Sequence, residues 1–376
     1  MLHGTGMHAP PGGSRRTLPT TLIQMTSNIT RRRVITIYVA VALLAVFICL
    51  GLMVRVPYVA LGPGPTVNTL GTAQSEETGK QVRVVKVVGG VDPNPKGNLN
   101  LTTVSLYDGL TLFEALGKWM SSSYELQPRE SYFPPDRSDD EVRQENQAQM
   151  SGSEDNAVLA AWNYLKLPTA VGVTSVSDKS PAKGVLKDDD RILSVGGEPV
   201  ATMERMSAVL GKHKPGDVVD VVFLRDGKQQ TSAVTLASRP DDKSRPFLGV
   251  TMRSVPADPS KAIEFDVGSI GGPSAGLMMT LSIIDQMTPG DLSHGEFIAG
   301  TGTIDPSGEV GEIGGIDHKI RAAKDAGATM FLVPAANCSL ATADAPDGIE
   351  LVKVDTLSGA LDALGTVGTD KPRPHC

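Results

Sequence analysis

Residues 271–287 read GGPSAGLMMTLSIIDQM, and residues 314–327 read GGIDHKIRAAKDAG. Each is a glycine pair that opens an apolar run at helical spacing, so each predicts a tight turn feeding a helix. Pro273 suits a helix start, where its missing N–H removes no hydrogen bond. Gly272, Pro273 and Ala275 around Ser274 keep the hydroxyl uncrowded and let a peptide backbone approach, which makes them candidate substrate-binding positions. The amides and positive dipole end of such a helix stabilise a developing oxyanion. The commoner use of a serine here is a plain helix cap. Lys319 falls in the first turn of the second helix, where a cation opposes the dipole. That misfit, and burial, would lower its pKa and yield a neutral amine able to act as a base. A serine hydroxyl beside a neutral lysine is a nucleophile–base pair. Thr301, in Gly300-Thr301-Gly302, is placed to aim that amine. The plain alternatives are a solvated lysine and a strand-packing threonine.

Outward from these motifs, residues 245–366 alternate strand-like and helix-like runs: FLGVTMRSV, AIEFDV, the 273–287 helix, IAGTGTI, the 317–326 helix, MFLVP, IELVKV and TLSGALDAL. That order predicts an α/β domain with its own core. The Gly-Pro-Ser-Ala-Gly motif is followed by Gly-Gly-x-x-x-Lys, with FIAGTGTIDPSGEVGEIGGI between them. Together they resemble the proteolytic domain of Lon. The resemblance implies Ser274 as nucleophile, Lys319 as base and Thr301 as the residue that orients it. It departs at Gly271, where that family often has aspartate. The Lon ATPase module has no counterpart here, and no GxxxxGK[ST] loop occurs. The same serine also fits a G-x-S-x-G elbow, which would need Asp305 and then His318 or His375. Only about 100 residues follow it, short for that fold.

Val34 to Val54, VITIYVAVALLAVFICLGLMV, carries no charge. A helix of that length spans roughly 30 Å, the thickness of a bilayer core. Arg15, Arg16, Arg31, Arg32 and Arg33 precede it with no acidic residue among them, and after Arg55 no lysine or arginine occurs before Lys80. The bias places the N-terminus in the cytoplasm and the rest outside. An uncleaved anchor is expected; a signal peptide is the rival, but the run is long for one and no small-x-small site follows at once.

Between anchor and α/β domain, 56–80 reads as an exit linker, Gln81–Val88 and 99–106 as strands, and 110–120 as a helix. Residues 134–156, PPDRSDDEVRQENQAQMSGSEDN, read as a mobile charged segment, with helix resuming at Ala157. From Thr169 the pattern changes to a strand, a Ser180-Pro181-Ala182 turn, a strand at 191–195, a helix at 203–213 and a hairpin around Asp226-Gly227. This order resembles a PDZ domain of the bacterial-protease type over 165–238. It implies a groove for a C-terminal peptide, with Thr169, Ala170, Val171 and Gly172 as the carboxylate-binding loop and the 203–211 helix as the other wall. A β-rich module that only packs on its neighbour is the plainer alternative.

The expected organisation is therefore a cytoplasmic basic tail at 1–33 and one transmembrane helix at 34–54. An extracytoplasmic α/β segment at 55–164, a β-rich PDZ-like domain at 165–240 and an α/β Lon-type protease domain at 241–368 follow. The whole resembles the YlbL-type membrane-anchored PDZ–Lon proteases of bacteria. That likeness implies ATP-independent serine endopeptidase activity on peptides or unfolded proteins outside the membrane, and rings of protease domains, although no oligomer interface is legible. The alternative is an anchored PDZ scaffold with an inactive protease fold. A net charge of -7 argues against nucleic-acid binding. Scattered histidines and no CxxC leave no metal site or cofactor to expect, and the three cysteines are too few for a disulfide scaffold.

Overall fold

The computed structural model describes residues 20–376 apart from 76, 77, 93, 241 and 344, with side chains from residue 31 onward. Most of the expected basic tail, up to residue 19, lies outside the described residues. Two units form: one runs up to Val56 and includes Gly109–Gly117, the other comprises Pro57–Asp108 and Lys118–Cys376.

In the first unit, helix α1 (Thr20–Met53) contains the uncharged run except its last residue, Val54, and begins well before it. Its apolar side chains from Val34 to Met53 are mostly exposed, as suits a helix whose partner is lipid.

In the second unit, the stretch expected to be a linker is β1 (Tyr58–Asn68). It pairs antiparallel with β2 (Asn98–Tyr107) on one side. Helix α2 (Leu112–Trp119), which belongs to the first unit up to Gly117, follows in the chain. Strand β3 (Glu125–Pro128) then takes the other edge of β1. The charged 134–156 segment is not a loop. From Asp139 on it forms most of one helix, α3 (Asp139–Tyr164), opened by a capping box between Ser138 and Glu141, with side chains largely exposed up to Gln149. Its second half buries Ala157, Val158, Ala160, Ala161 and Trp162.

The PDZ-like module comes next: β4 (Thr169–Val176), β5 (Arg191–Val195), α4 (Met203–Leu210), β6 (Val218–Arg225), β7 (Lys228–Thr235) and β8 (Val250–Pro256). Its sheet order is β7-β6-β5-β4-β8. The β6–β7 hairpin turns at Asp226-Gly227, both at positive φ, as a two-residue turn of this kind demands. Val171, Ile192, Met206, Val221 and Phe223 fill its core.

The chain then returns to the first sheet with α5 (Gly276–Met287), β9 (Phe297–Gly300), the short β10 (Thr303–Ile304), α6 (Ile316–Asp325), β11 (Met330–Pro334), α7 (Cys338–Ala343), β12 (Glu350–Val354) and α8 (Leu357–Leu364). The full order is β12-β11-β9-β2-β1-β3, with β2, β9, β11 and β12 parallel. Residues 241–368 thus do not close a sheet of their own. Gly300 pairs with Leu101 across the PDZ insertion, so residues 57–108 and 118–128 complete the α/β domain. Alternate residues of the central strands serve two cores. Leu99, Leu101, Ile298 and Leu332 pack under α3, α5 and α8. Ala299, Phe331 and Val333 pack under α6 and α7.

Cys338 and Cys376 form a disulfide, so one bridge exists where the sequence suggested none. It ties the chain end to the start of α7, and a loop of this length contributes roughly 4 kcal/mol in the chain-entropy account.

Candidate active site

Ser274 lies in the turn before α5, and the first amides of that helix have no intrahelical acceptor. Part of that demand is met locally, since Leu277 N–H donates to Gly302 C=O. Gly276 cannot be larger: a Cβ there would lie 2.8 Å from Ile304 and 3.0 Å from Ser153. The turn is pinned from outside. Gly302 N–H donates to Ser274 C=O at 2.9 Å, and Thr301 Oγ1 donates to the same carbonyl at 3.0 Å.

Helix α6 supplies the cation. Its cap is Gly315 at φ 63, where a Cβ would come within 2.7 Å of Val104 on β2. Only glycine permits the helix to begin this close to the sheet. Lys319, in the first turn, is only 4% exposed. Its Nζ donates to Ser274 Oγ at 2.8 Å and to Thr301 Oγ1 at 3.1 Å. Burial brings its pKa down from the usual lysine range to about 8. Three residues separated by 27 and 18 positions in the chain thus share one hydrogen-bonded cluster.

Gly272, Pro273 and Ala275 flank the serine as expected, with Gly272 at φ 86 and Pro273 exposed. The histidines of the elbow alternative are elsewhere. His318 is buried, with Nδ1 3.5 Å from Asp317 and Nε2 4.0 Å from Glu125. His375 lies 3.8 Å from Glu350, and Asp305 accepts from the amides of Ser307 and Glu309 and the hydroxyl of Ser307. Ser274 Oγ has Lys319 as its partner, so a serine–histidine arrangement is not what the fold builds.

Residues that sequence reasoning missed come from α3. Ser153 Oγ donates to Pro273 C=O at 3.0 Å, and Gly272 N–H donates to Asn146 C=O at 2.9 Å. One helix therefore holds the two residues that lead into Ser274. The helical pattern from Ala157 is the part of α3 that the sequence shows, and Ser153 lies just before it. Next to it Glu154 is pushed up to about 7, first by burial and then by Asp155.

The PDZ-like groove requires a correction. Thr169, Ala170, Val171 and Gly172 lie in β4, whose two edges are taken by β5 and β8. A Cβ on Gly172 would meet Val255 at 2.7 Å. No peptide can add to an internal strand. The outer strand next to β4 is β8, which packs beside α4, and Val250 and Met252 on β8 share the module's core with Met203 and Leu210 on α4. The turn before it, Phe247-Leu248-Gly249, has Gly249 at φ 75, packed on Ser180 and Pro181. A cavity of about 370 Å³ is lined by Met203 and Ser254 from this module, Ser153 and Asp155 from α3, and Pro273 and Thr303 from the serine turn and β10. It joins the two halves of the second unit.

Comparison with known proteins gives two family matches: a PDZ domain over residues 142–236, and the Lon protease (S16) C-terminal proteolytic domain over residues 263–363. Lon protease 2 of Bacillus subtilis (strain 168) is 36% identical over 115 residues, covering 30% of this chain and 20% of that protein. A probable periplasmic serine endoprotease DegP-like of Marinomonas sp. (strain MWYL1) is 36% identical over 107 residues, covering 26% of this chain and 23% of that protein. The matches thus span a quarter or less of these curated relatives. Among solved structures, a Geobacillus thermodenitrificans solution structure is 36% identical with a TM-score of 0.21, covering 22% of this chain and 94% of that one. The PDZ domain of an SdrC-like protein from Listeria monocytogenes is 25% identical with the same TM-score, covering 22% and 86%.

Proposed function

We propose that this chain, which joins a PDZ domain to a Lon-type C-terminal proteolytic domain, is a membrane-anchored serine endopeptidase that cleaves peptides or already unfolded proteins without ATP on the outer side of a bacterial membrane. The observation that carries the reading is the 2.8 Å contact between Lys319 Nζ and Ser274 Oγ in a site that keeps the lysine out of water.

In this mechanism the neutral amine accepts the Ser274 hydroxyl proton as Oγ attacks the scissile carbonyl. Charge developing on the carbonyl oxygen faces the Ser274 amide and the positive end of α5. The tetrahedral intermediate collapses, the C–N bond breaks, and the Lys319 ammonium protonates the leaving amine. Water then attacks the acyl-enzyme, gives a proton to Lys319, and the carboxylic product leaves as Oγ regains its proton. Thr301 holds Nζ on the Ser274 side while its own hydroxyl is fixed on the Ser274 carbonyl. The PDZ module takes a chain end along β8, opposite α4, with the carboxylate on the amides of the 247–249 turn.

The outer-side assignment is supported by the arginine bias before the uncharged run of α1, which fits a membrane anchor or a signal sequence. The Cys338–Cys376 bridge agrees, since such bonds persist in oxidising compartments. Independence from ATP is proposed from the Ser274–Lys319 chemistry, which itself consumes no nucleotide.

Purified full-length chain in detergent micelles is expected to hydrolyse an unfolded protein such as reduced casein with no nucleotide, at a rate unchanged by ATP and Mg²⁺. Hydrolysis that requires ATP, or that survives Ser274→Ala, overturns the proposal.

Ser153→Ala tests the support of the turn. Loss of one neutral hydrogen bond costs about 1 kcal/mol. If that loss appears in the transition state, kcat falls roughly fivefold to tenfold while KM stays constant. Ser153→Thr, which keeps the donor, should restore kcat. An equal fall for both variants would instead indicate simple packing.

A further inference from the structure

Helix α2 is tied to the outer end of α1. Leu112 N–H donates to Val54 C=O at 3.0 Å and Val56 N–H to Leu110 C=O at 2.9 Å. Arg55 and Thr111 form an antiparallel bridge between them. A capping box starts α2: Thr111 N–H donates to the Glu114 carboxylate at 2.8 Å, and Glu114 N–H donates back to Thr111 Oγ1 at 3.4 Å. The next residue, Phe113, reaches down the side of α1. Its ring packs edge-on against Phe47, with centroids 5.4 Å apart. It also covers Gly51, where a Cβ would lie 2.3 Å from the ring. Gly51 is a buried residue on an otherwise exposed apolar helix.

These contacts fix the depth of α2. Phe47 precedes the end of α1 at Met53 by six residues, or about 9 Å of helix. If the uncharged run spans a bilayer, Phe113 sits below the lipid surface. The same helix then presents Leu112, Leu116 and Trp119 at i, i+4 and i+7, with Met120 following. They are 40%, 45%, 69% and 77% exposed. An apolar stripe this open is costly in water. A tryptophan at its end suits the interface between chains and headgroups.

We infer that α2 is an interfacial helix whose Leu112–Leu116–Trp119 stripe is embedded in the outer leaflet of the same bilayer that α1 crosses. This rests on the reading of α1 as a span. The occupant is lipid rather than a protein partner, because Phe113 joins the stripe to the spanning helix without a break. The chain thereby gains a second hold on the membrane, set by eight residues rather than by α1 alone.

The test uses full-length chain in phosphatidylcholine vesicles, read by fluorescence. The protein has two tryptophans, Trp119 and Trp162, and Trp162 is buried in the protein core. The Trp119 signal is therefore the difference between the wild type and Trp119→Phe. In vesicles of phosphatidylcholine brominated in its acyl chains, that signal should fall at least about twofold, whereas aqueous iodide should leave it nearly unchanged, as for an interfacial ring. Strong iodide quenching with no bromolipid effect overturns the inference. So does protection from both quenchers, which would place a protein surface over the stripe. Alkaline carbonate extraction of the same vesicles separates the two readings. Chain that stays with the lipid while Trp119 remains open to iodide refutes the interfacial helix alone. Chain that is released refutes the span, and the inference with it.

Discussion

Lys319→Ala and Ser274→Ala are each expected to lower turnover at least about 10,000-fold, and Lys319→Arg to fail as badly as the alanine variant. The proposed chemistry needs an amine that sheds its charge. A guanidinium stays protonated at any pH the protein survives, and its planar fork does not fit a point donor 2.8 Å from one oxygen and 3.1 Å from another. The two side chains act as one unit, so the double variant Ser274→Ala, Lys319→Ala should be no slower than either single one. All variants should bind an unfolded substrate as the wild type does, because Lys319 is buried and Ser274 is small. The measurement is kcat/KM on one fluorogenic peptide together with substrate affinity by anisotropy. Retained activity in Lys319→Arg would show that another group takes the serine proton. A double variant much slower than both singles would show that the residues act separately.

How much of this could be read beforehand depended on the range over which each signal acts. The site was carried by short motifs whose residues have local reasons to be there: Gly315 admits α6 to the sheet, Pro273 suits a helix start, and Lys319 stands at the wrong end of a dipole. Their meeting across 45 positions was legible because all three motifs kept their spacing. Strand identities at 99–106, 191–195 and 330–334 followed from short apolar runs between turns. The partner of a strand has no such local signal. Nothing in FIAG says that it pairs with 98–101 rather than with a neighbour in the chain, so the α/β domain was wrongly confined to 241–368. The PDZ edge was misplaced for the same reason. Val-Gly-Val-Thr and Leu-Gly-Val-Thr are equally strand-like, and only tertiary pairing makes β4 internal and leaves β8 outermost. For α3, charge density in its first turns outweighed a capping box that was present in the sequence. The Cys338–Cys376 bridge was invisible because two cysteines 38 apart carry no geometry until α7 and the C-terminus share a face.

Between pH 6 and pH 9, activity should rise steeply and level off, with a midpoint near 8. The cause is Lys319. Burial disfavours its cation and lowers the pKa to about 8, so catalysis requires the deprotonated form and is gained as pH rises through that value. The neutral fraction is about one in a hundred at pH 6 and about nine in ten at pH 9, so kcat/KM should climb nearly a hundredfold and tenfold per unit at the acid end. The same shift has a stability counterpart of definite sign. In the unfolded chain the lysine keeps its ordinary value of 10.5. Between about 8 and 10.5 the unfolded state therefore binds more protons, and folding stability contributed by this residue increases with pH across that window. Below 8 both states are charged and the folded state bears the whole desolvation cost, of order 3 kcal/mol before the two hydrogen bonds offset part of it. Lys319→Met removes the buried charge and keeps most of the volume. It should be inactive at every pH, yet unfold at a higher denaturant midpoint than wild type at pH 7, with the gap closing towards pH 10. Urea titrations at pH 7 and pH 9.5, paired with the kcat/KM profile, measure both arms. A flat activity profile, or a methionine variant less stable at pH 7 than at pH 9.5 relative to wild type, would mean that Lys319 is not held against its charge. The amine would then be protonated at the moment Ser274 must lose its proton.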